Sequence, residues 1–431
     1  MTALAVLQVV HGWPPESVGG AELCAANLHG GLLALGVRAT VFTAAPSRDG
    51  RRLAVEDEGP VCRVRPGPAR SFSEGFVRRD VEDAFAAFVA RHRPDVVLLH
   101  HLAHLSLGLP RIAARSGARV LFALHDYWLA CPRGQLIDRN LERCAEPEVG
   151  RCAWCLAGQA SLGPVASLAA RVRLPGSWRG RLRAGLGRAT PRHARAALRE
   201  RALLVAAAVR RVDRFLSPSR DLAARMAVLG LPRDRTEVFP LGLVQPVRPL
   251  PAPGPGPVRF LFAGALIPTK GPHLLVEAFA RLPAGAATLV LAGPRVPLDL
   301  DPSYAERLAS RVAEVPGAIL LPPYPPGDAA HFLGGGDVLV VPSLWEENSP
   351  LVVREARAAG LRILASRRGG IPEIAPQARF FEPEARGGLA RALAAEVREG
   401  RRRDPPATWE DPEAQATRLL SVATRTPSCR E

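Results

Sequence analysis

Between Leu241 and Pro257, six of 17 residues are proline: Pro246, Pro249, Pro251, Pro253, Pro255 and Pro257. Proline has no amide hydrogen and its ring collides with the preceding helical turn. A run this dense cannot hold a helix and forms a stiff, extended connector. It divides the 431-residue chain into two halves, each of ordinary domain size.

On both sides of the connector, short β-rich runs alternate with longer helix-like segments, the pattern of a parallel sheet covered by helices. The first half predicts strands at 3–10, 38–44, 95–100, 119–124 and 215–217, with helices at 21–35, 77–91 and from about 219. The second half predicts strands at 258–263, 287–292, 318–321, 337–341 and 361–365. The expected α/β organisation is a Rossmann-like domain at 1–240, a linker at 241–257 and a second Rossmann-like domain at 258–405. A C-terminal helix and tail at 406–431 would pack back on the first domain. Doubly wound sheets bind ligands beyond the carboxyl ends of their strands, so the chemistry is sought in the loops that follow strands.

The formal charge is +16, and of 57 basic residues Lys270 is the one lysine. Arginine has replaced lysine wherever a plain positive charge suffices. The position of the remaining ammonium is therefore informative, because a point charge and a planar guanidinium are not interchangeable. A basic surface suits nucleotides or lipid headgroups. Nucleic acid is not an expected partner, since the chain has no aromatic platform or reading motif. The N-terminus enters an apolar strand without the marks of a signal peptide, and the longest apolar run, 202–209, is far short of the ~20 residues of a bilayer span. The expected location is the cytoplasm, or a peripheral seat at the inner membrane face.

Five loops stand out. His11 to Glu22 carries Gly19 and Gly20 at a strand-to-helix junction, which either admits an anion to the backbone or simply makes a tight turn. It lacks the G-x-G-x-x-G fingerprint of a dehydrogenase. His125-Asp126 follows a strand, as do His100 and His101; the pair could orient an imidazole toward substrate or serve as a structural donor. Gly264 to Gly271 holds Lys270 before a helix, well placed to meet phosphate. Pro342 to Glu355 joins a strand to a helix opening near Pro350, with Glu347 and Glu355 eight residues apart. Carboxylates in such a place suit hydroxyls rather than phosphate. The fifth loop is Gly369-Gly370-Ile371-Pro372-Glu373.

In their order, these loops resemble family 4 of the retaining glycosyltransferases, with the GT-B fold of two Rossmann-like domains facing across a cleft. The resemblance runs from Ala3 to about Phe381, and its most specific part is the K-G loop, the E-x7-E segment and the following G-G-x-x-E. It implies a nucleotide-sugar donor, UDP- or GDP-linked, and a saccharide or lipid-linked acceptor. Gly19 and Gly20 would face donor phosphates or acceptor, and His125 would contact the transferred sugar. Lys270 would bind the pyrophosphate, Glu347 the sugar hydroxyls and Glu355 the ribose. The N–H groups of Ser349, Leu351 and Val352 would complete the phosphate site, with Gly370 beside it. The resemblance implies front-face attack without a catalytic metal. One departure stands out: Ala265 occupies the position where many members carry arginine, and Arg367 or Arg368 is the expected substitute. A nucleotide-sugar epimerase of the same fold, or a non-catalytic subunit, remains an alternative.

Cys131, Cys144, Cys152 and Cys155 fall within 25 residues and end in C-x2-C. That spacing suggests a structural zinc, with free thiols or a redox pair as the other readings. The Arg-rich stretch 171–214 reads as a solvated helical face or as a patch that docks on anionic membrane.

Overall fold

The computed structural model describes residues 4–47, 53–69, 71–156, 192–243, 247–296, 301–324 and 328–425. They form two units. One comprises Met1–Leu136, Cys144–Gly242 and Glu410–Glu431, and the other Ile137–Arg143 and Leu243–Trp409.

The first unit is built on β1 (Ala5–Val10), β2 (Arg38–Ala44), β3 (Leu53–Glu58), β4 (Val61–Pro66), β5 (Val96–Leu99), β6 (Arg119–Ala123), β7 (Arg214–Ser217) and β8 (Thr236–Val238). Their order is β3-β4-β2-β1-β5-β6-β7-β8. All neighbours pair in parallel except β3 with β4. β1 is buried along its whole length, as a parallel strand covered on both faces must be. The β3–β4 hairpin escapes a reading based on apolar runs because Glu56, Asp57, Arg63 and Arg65 interrupt both strands. Arg65 is nevertheless buried, its guanidinium bonded to Glu16 and Glu56.

The second unit holds β9 (Val258–Ala263), β10 (Ala287–Ala292), β11 (Ala318–Leu321), β12 (Val338–Val341), β13 (Arg362–Ser366) and β14 (Arg379–Phe381). They lie in the order β11-β10-β9-β12-β13-β14, every pair parallel. Its core lies on both faces of this sheet: Phe260, Leu275 and Leu289 on one, Leu261, Leu339 and Val353 on the other.

The proline-rich stretch is not a free linker. From Leu243 it belongs to the second unit, where Val247 and Leu250 pack on the core and the Leu250 N–H donates to the Ala359 carbonyl at 3.0 Å. An extended proline segment can lie along a surface and bury its few large apolar side chains there. The helix Pro412–Thr424 belongs to the first unit, opened by the Asp411 carboxylate accepting from the Ala414 N–H. It buries Ala416, Leu419, Val422 and Ala423 among Val6, Leu28, Leu32 and Leu98. Among the described residues no helix is long and apolar enough to cross a membrane. Residues 171–191 of the basic stretch lie outside the described residues; the Arg192–Val209 helix follows them.

Leu419 is fully enclosed, so Leu419→Ala should cost about 2–4 kcal/mol of stability. Urea denaturation monitored by far-ultraviolet dichroism measures it. A loss below about 1 kcal/mol would mean the terminal helix contributes little to the core of the first unit.

Candidate functional site

In the second sheet the chain runs outward from β9 to β10 on one side and from β12 to β13 on the other. The topological switch therefore falls between β9 and β12, where such sheets open to ligands. Lys270 follows β9, and the segment from Pro342 to Pro350 follows β12. The two loops touch closely. Gly271 has a φ of 71°, and a Cβ there would lie 2.0 Å from the Pro342 carbonyl oxygen; only glycine fits. Beside it the Leu344 N–H donates to the Thr269 carbonyl at 2.8 Å.

That contact brings together the two residues with most to offer chemically. Lys270 Nζ donates to Glu347 Oε1 at 2.6 Å. The same oxygen accepts from Ser343 Oγ at 2.6 Å and from Trp345 Nε1 at 2.9 Å. Lys270 Nζ also stands 5.1 Å from the centre of the Trp345 ring, within cation–π reach. Among the described residues nothing donates to Glu347 Oε2. The loop after β13 closes the arrangement. The Gly370 N–H donates to the Glu347 carbonyl at 2.7 Å, and a Cβ on Gly369 would lie 1.9 Å from that carbonyl oxygen. Gly370 therefore spends its N–H on placing Glu347. Glu346 accepts the Gly369 N–H and pairs with Arg143.

The helix Leu351–Ala358 begins at Pro350, which supplies no side-chain cap, so the N–H groups of its first turn keep their positive end of the helix dipole. Ser349 just before it accepts from Arg354 at 2.9 and 2.7 Å. Arg354 is 1% exposed and stacks on Trp409 at 4.4 Å, so the loop is tied to its helix. Glu355 lies on the same helix. Among the described residues no hydrogen bond or ion pair reaches its carboxyl, and burial pushes it up to about 7. A carboxyl kept from water without a protein partner suits a ligand with hydroxyls to donate.

Both expected substitutes for the missing arginine face carboxylates of the same unit. Arg368 is 4% exposed and bound to Glu382 and Glu384. Arg367 faces Glu382 and covers the Phe380 ring at 4.5 Å. Both guanidiniums are neutralised by the β14 side of the sheet, which leaves Lys270 as the cation in contact with Glu347.

The first sheet has its switch between β1 and β5. Gly19 and Gly20 open the helix Gly20–Ala34 after β1. Glu22, 5% exposed, turns its carboxylate back onto that end. It accepts from Ser17 Oγ at 2.9 Å, lies 3.5 Å from His11 Nε2, and would meet a Cβ on Gly19 at 2.7 Å. An acid in that place repels phosphate and suits a hydroxyl. Nothing in the sequence singles it out, because an acid in a first helical turn is ordinary.

Around it gather four more histidines. His101 accepts the Ala103 N–H on Nδ1, so its Nε2 carries the proton and faces Asp126 Oδ2 at 3.3 Å. Burial works against the Asp126 carboxylate, but His101 and the Trp128 N–H hold its pKa below the usual value. His125 lies with Nε2 3.0 Å from His100 Nδ1, and His100 Nε2 lies 2.8 Å from Gln8 Oε1. Burial above all, then neighbouring histidines, lowers His11 and His125 to about 4 and His100 well below 6.5. Burial also lowers His104. His11, His100 and His125 are therefore neutral at physiological pH. Gln8 was legible as a polar residue within the apolar strand β1, a placement that calls for a partner.

The four cysteines expected to hold zinc lie in one neighbourhood, where Cys131, Cys155 and Cys144 all act electrostatically on Cys152. Among the described residues no group of three or more His, Cys, Asp or Glu side chains could hold a metal ion. The C-x2-C pair lies in the regular helix Val149–Cys155, not in a chelating turn. Burial first, then the neighbouring thiols, pushes Cys152 up to about 12. Arg201 instead fills the neighbourhood, bonded to the Trp128 carbonyl and stacked 4.7 Å over its ring.

Two family descriptions match the chain: Glycosyltransferase Family 4 over residues 18–244 and Glycosyl transferases group 1 over residues 251–400. D-inositol 3-phosphate glycosyltransferase of Mycolicibacterium smegmatis is 32% identical over 161 residues, which is 37% of this chain and 31% of that protein. The match thus spans about a third of that relative's length. Sucrose-phosphate synthase of Thermosynechococcus elongatus superposes with a TM-score of 0.59 at 17% identity, covering 97% of this chain and 94% of that one. Anabaena HepE in complex with UDP and glucose gives 0.56 at 15% identity, over 98% and 95%. Two Rossmann-like units with K-G, E-x7-E and G-G-x-x-E loops at one switch point accord with these matches, and the chain belongs to glycosyltransferase family 4, with the GT-B fold.

Proposed function

We propose that this chain moves a sugar from a nucleoside-diphosphate donor to a hydroxyl of a saccharide or lipid-linked acceptor, with retention at the anomeric carbon. The observation that carries the reading is the Lys270–Glu347 pair at the switch point of the second unit. One carboxylate oxygen is saturated by three donors, while the other is left to accept. Lys270 keeps N–H groups for the diphosphate, joined by the backbone N–H groups of Ser349, Leu351 and Val352 at the start of their helix. Glu347 Oε2 accepts a hydroxyl of the transferred sugar, and Glu355 accepts the ribose hydroxyls. HepE, whose crystal holds UDP and glucose, supports a donor of this class.

In the transfer, the bond between the anomeric carbon and the diphosphate oxygen breaks, and negative charge builds on that oxygen. Lys270 and the helix N–H groups stabilise it, a contribution of several kcal/mol when donors are fixed in advance. The acceptor hydroxyl attacks from the face the diphosphate leaves, and its proton passes to the departing phosphate oxygen. His125, held neutral, contacts a hydroxyl of the transferred sugar. The Gly19-Gly20 loop, with Glu22 over it, takes a hydroxyl-bearing ligand rather than phosphate. The net charge of +16 favours an acceptor presented at an anionic surface.

Thermal melts with UDP, GDP, ADP and dTDP, without Mg²⁺, test this. One diphosphate should raise Tm, and Lys270→Ala or Glu355→Gln should each weaken its binding at least about tenfold, roughly 1.4 kcal/mol. If no diphosphate shifts the melt of the unmutated protein, the donor site is wrong.

Glu355 also predicts a pH dependence. Its folded carboxyl, near 7, lies above the ordinary 4.5. Between those values the folded state holds a proton that the unfolded state has released, so stability falls as pH rises through that window. Glu355→Gln should match the parent at pH 4.5 and exceed it by about 1–3 kcal/mol at pH 8. Denaturant midpoints at the two pH values measure this, and equal midpoints at pH 8 would remove the argument.

A further inference from the structure

The chain leaves the first unit after Leu136, contributes Ile137–Arg143 to the second, and returns at Cys144. The excursion is a closed hairpin. Ile137 and Arg143 form an antiparallel bridge, and the Asp138 N–H donates to the Glu142 carbonyl at 2.8 Å. The Asp138 carboxylate, on a residue 2% exposed, accepts the Asn140 and Glu142 N–H groups at 2.8 and 3.0 Å. A turn whose amides are answered by a buried side chain holds one shape. Arg143, at its exit, is therefore presented from a fixed base.

Arg143 meets Glu346, the neighbour of Glu347. Its guanidinium donates to Glu346 Oε1, and Glu346 Oε2 accepts the Gly369 N–H at 2.8 Å. Glu346 is 4% exposed, and a carboxylate kept from water needs a cation and donors to stay in place. Glu346 makes further contacts, which do not break this linkage. One carboxylate thus ties Arg143 to the loop after β13. Arg143 also acts electrostatically on Glu384, which holds Arg368 of the same loop. The next amide of that loop, the Gly370 N–H, donates to the Glu347 carbonyl at 2.7 Å.

We infer that Arg143 is a positioning residue for the donor site, holding Glu346 and through it the Gly369-Gly370 turn that places the backbone of Glu347. The inference rests on the proposed contact of Glu347 Oε2 with a sugar hydroxyl. The diphosphate is met elsewhere, by Lys270 and the N–H groups at the start of the Leu351–Ala358 helix. A displaced Glu347 should therefore slow turnover of a nucleotide sugar while leaving the free diphosphate bound. Arg143 is half exposed, so replacing it empties no core.

Residue-resolved hydrogen exchange on the full-length protein tests the linkage without reference to activity. Arg143→Met should speed exchange of the Gly369 and Gly370 N–H groups about tenfold, with β9 and β12 at their parental rates. Arg143→Lys keeps the charge and should stay within about twofold of the parent. Unchanged exchange at both glycines in Arg143→Met overturns the inference. So does a rise spread evenly over the second unit, which marks a contact that only stabilises the fold.

The second measurement is UDP release from UDP-glucose, GDP release from GDP-mannose, and the matching ADP and dTDP sugars, with water as acceptor. Arg143→Met should lower turnover about tenfold, with the diphosphate-induced melting shift unchanged, and Arg143→Lys should recover most of the loss. Glu346→Gln keeps an oxygen for the Gly369 N–H but removes the charge. On that background Arg143→Met should cost less than about twofold more; a full tenfold loss there means Arg143 acts on substrate directly and overturns the positioning role. If Glu347→Gln leaves turnover intact, the sugar contact fails. If Glu347→Gln is slow and Arg143→Met is not, the positioning role fails.

Discussion

A carboxylate buried at 3% exposure is stable only if its charge is answered, and Glu347 is answered by three loops at once. Lys270 comes from the loop after β9, Ser343 and Trp345 from the loop after β12, and the carbonyl of Glu347 itself receives the N–H of Gly370 from the loop after β13. The strands β9, β12 and β13 are immediate neighbours, all parallel, so their carboxyl ends meet along one edge. The ion pair therefore depends on the sheet order, and each loop's conformation depends on the ion pair. Gly271 and Gly369 make this closeness sterically possible, since any side chain at either would meet a backbone oxygen at about 2 Å.

The two units place ligands by the same topological device but with opposite electrostatics. At the second switch point a lone ammonium and an uncapped helix start face outward, a setting for phosphate. At the first, Glu22 covers the helix start and neutral imidazoles fill the adjoining loops, a setting for uncharged hydroxyls. The two ends differ in chemistry: one presents an ammonium, the other a carboxylate among neutral imidazoles. Glu355 shows what this arrangement costs, since burial pushes its carboxyl up to about 7.

Much of this was legible in the sequence, for identifiable reasons. Strands β2, β9, β10 and β11 match the predicted runs to the residue. The β3–β4 hairpin was not legible, since its charges pair across strands, and β8 and β14 are three residues long, too short for any period. Lys270 and Glu347 stood out by rarity and spacing, while Ser343 and Trp345, which complete their contact, are unremarkable residues whose role exists only in three dimensions. The cysteine spacing admits more than one reading because C-x2-C is also the i, i+3 spacing of a helix, and Cys152 and Cys155 lie in one.

The single lysine can now be given a physical reason. In a chain where arginine fills every other cationic position, a guanidinium at 270 would present a planar fork to Glu347 and engage both carboxylate oxygens, the favoured geometry of that pair. Oε2 would then be consumed within the protein. An ammonium is a compact point charge: it meets Oε1 alone, at 2.6 Å, beside the Ser343 and Trp345 donors that crowd the same oxygen. Its remaining N–H groups are not spent on Glu347, and among the described residues Oε2 accepts no hydrogen bond. What distinguishes Lys270 is thus the geometry of one nitrogen rather than its charge, which arginine would supply equally well.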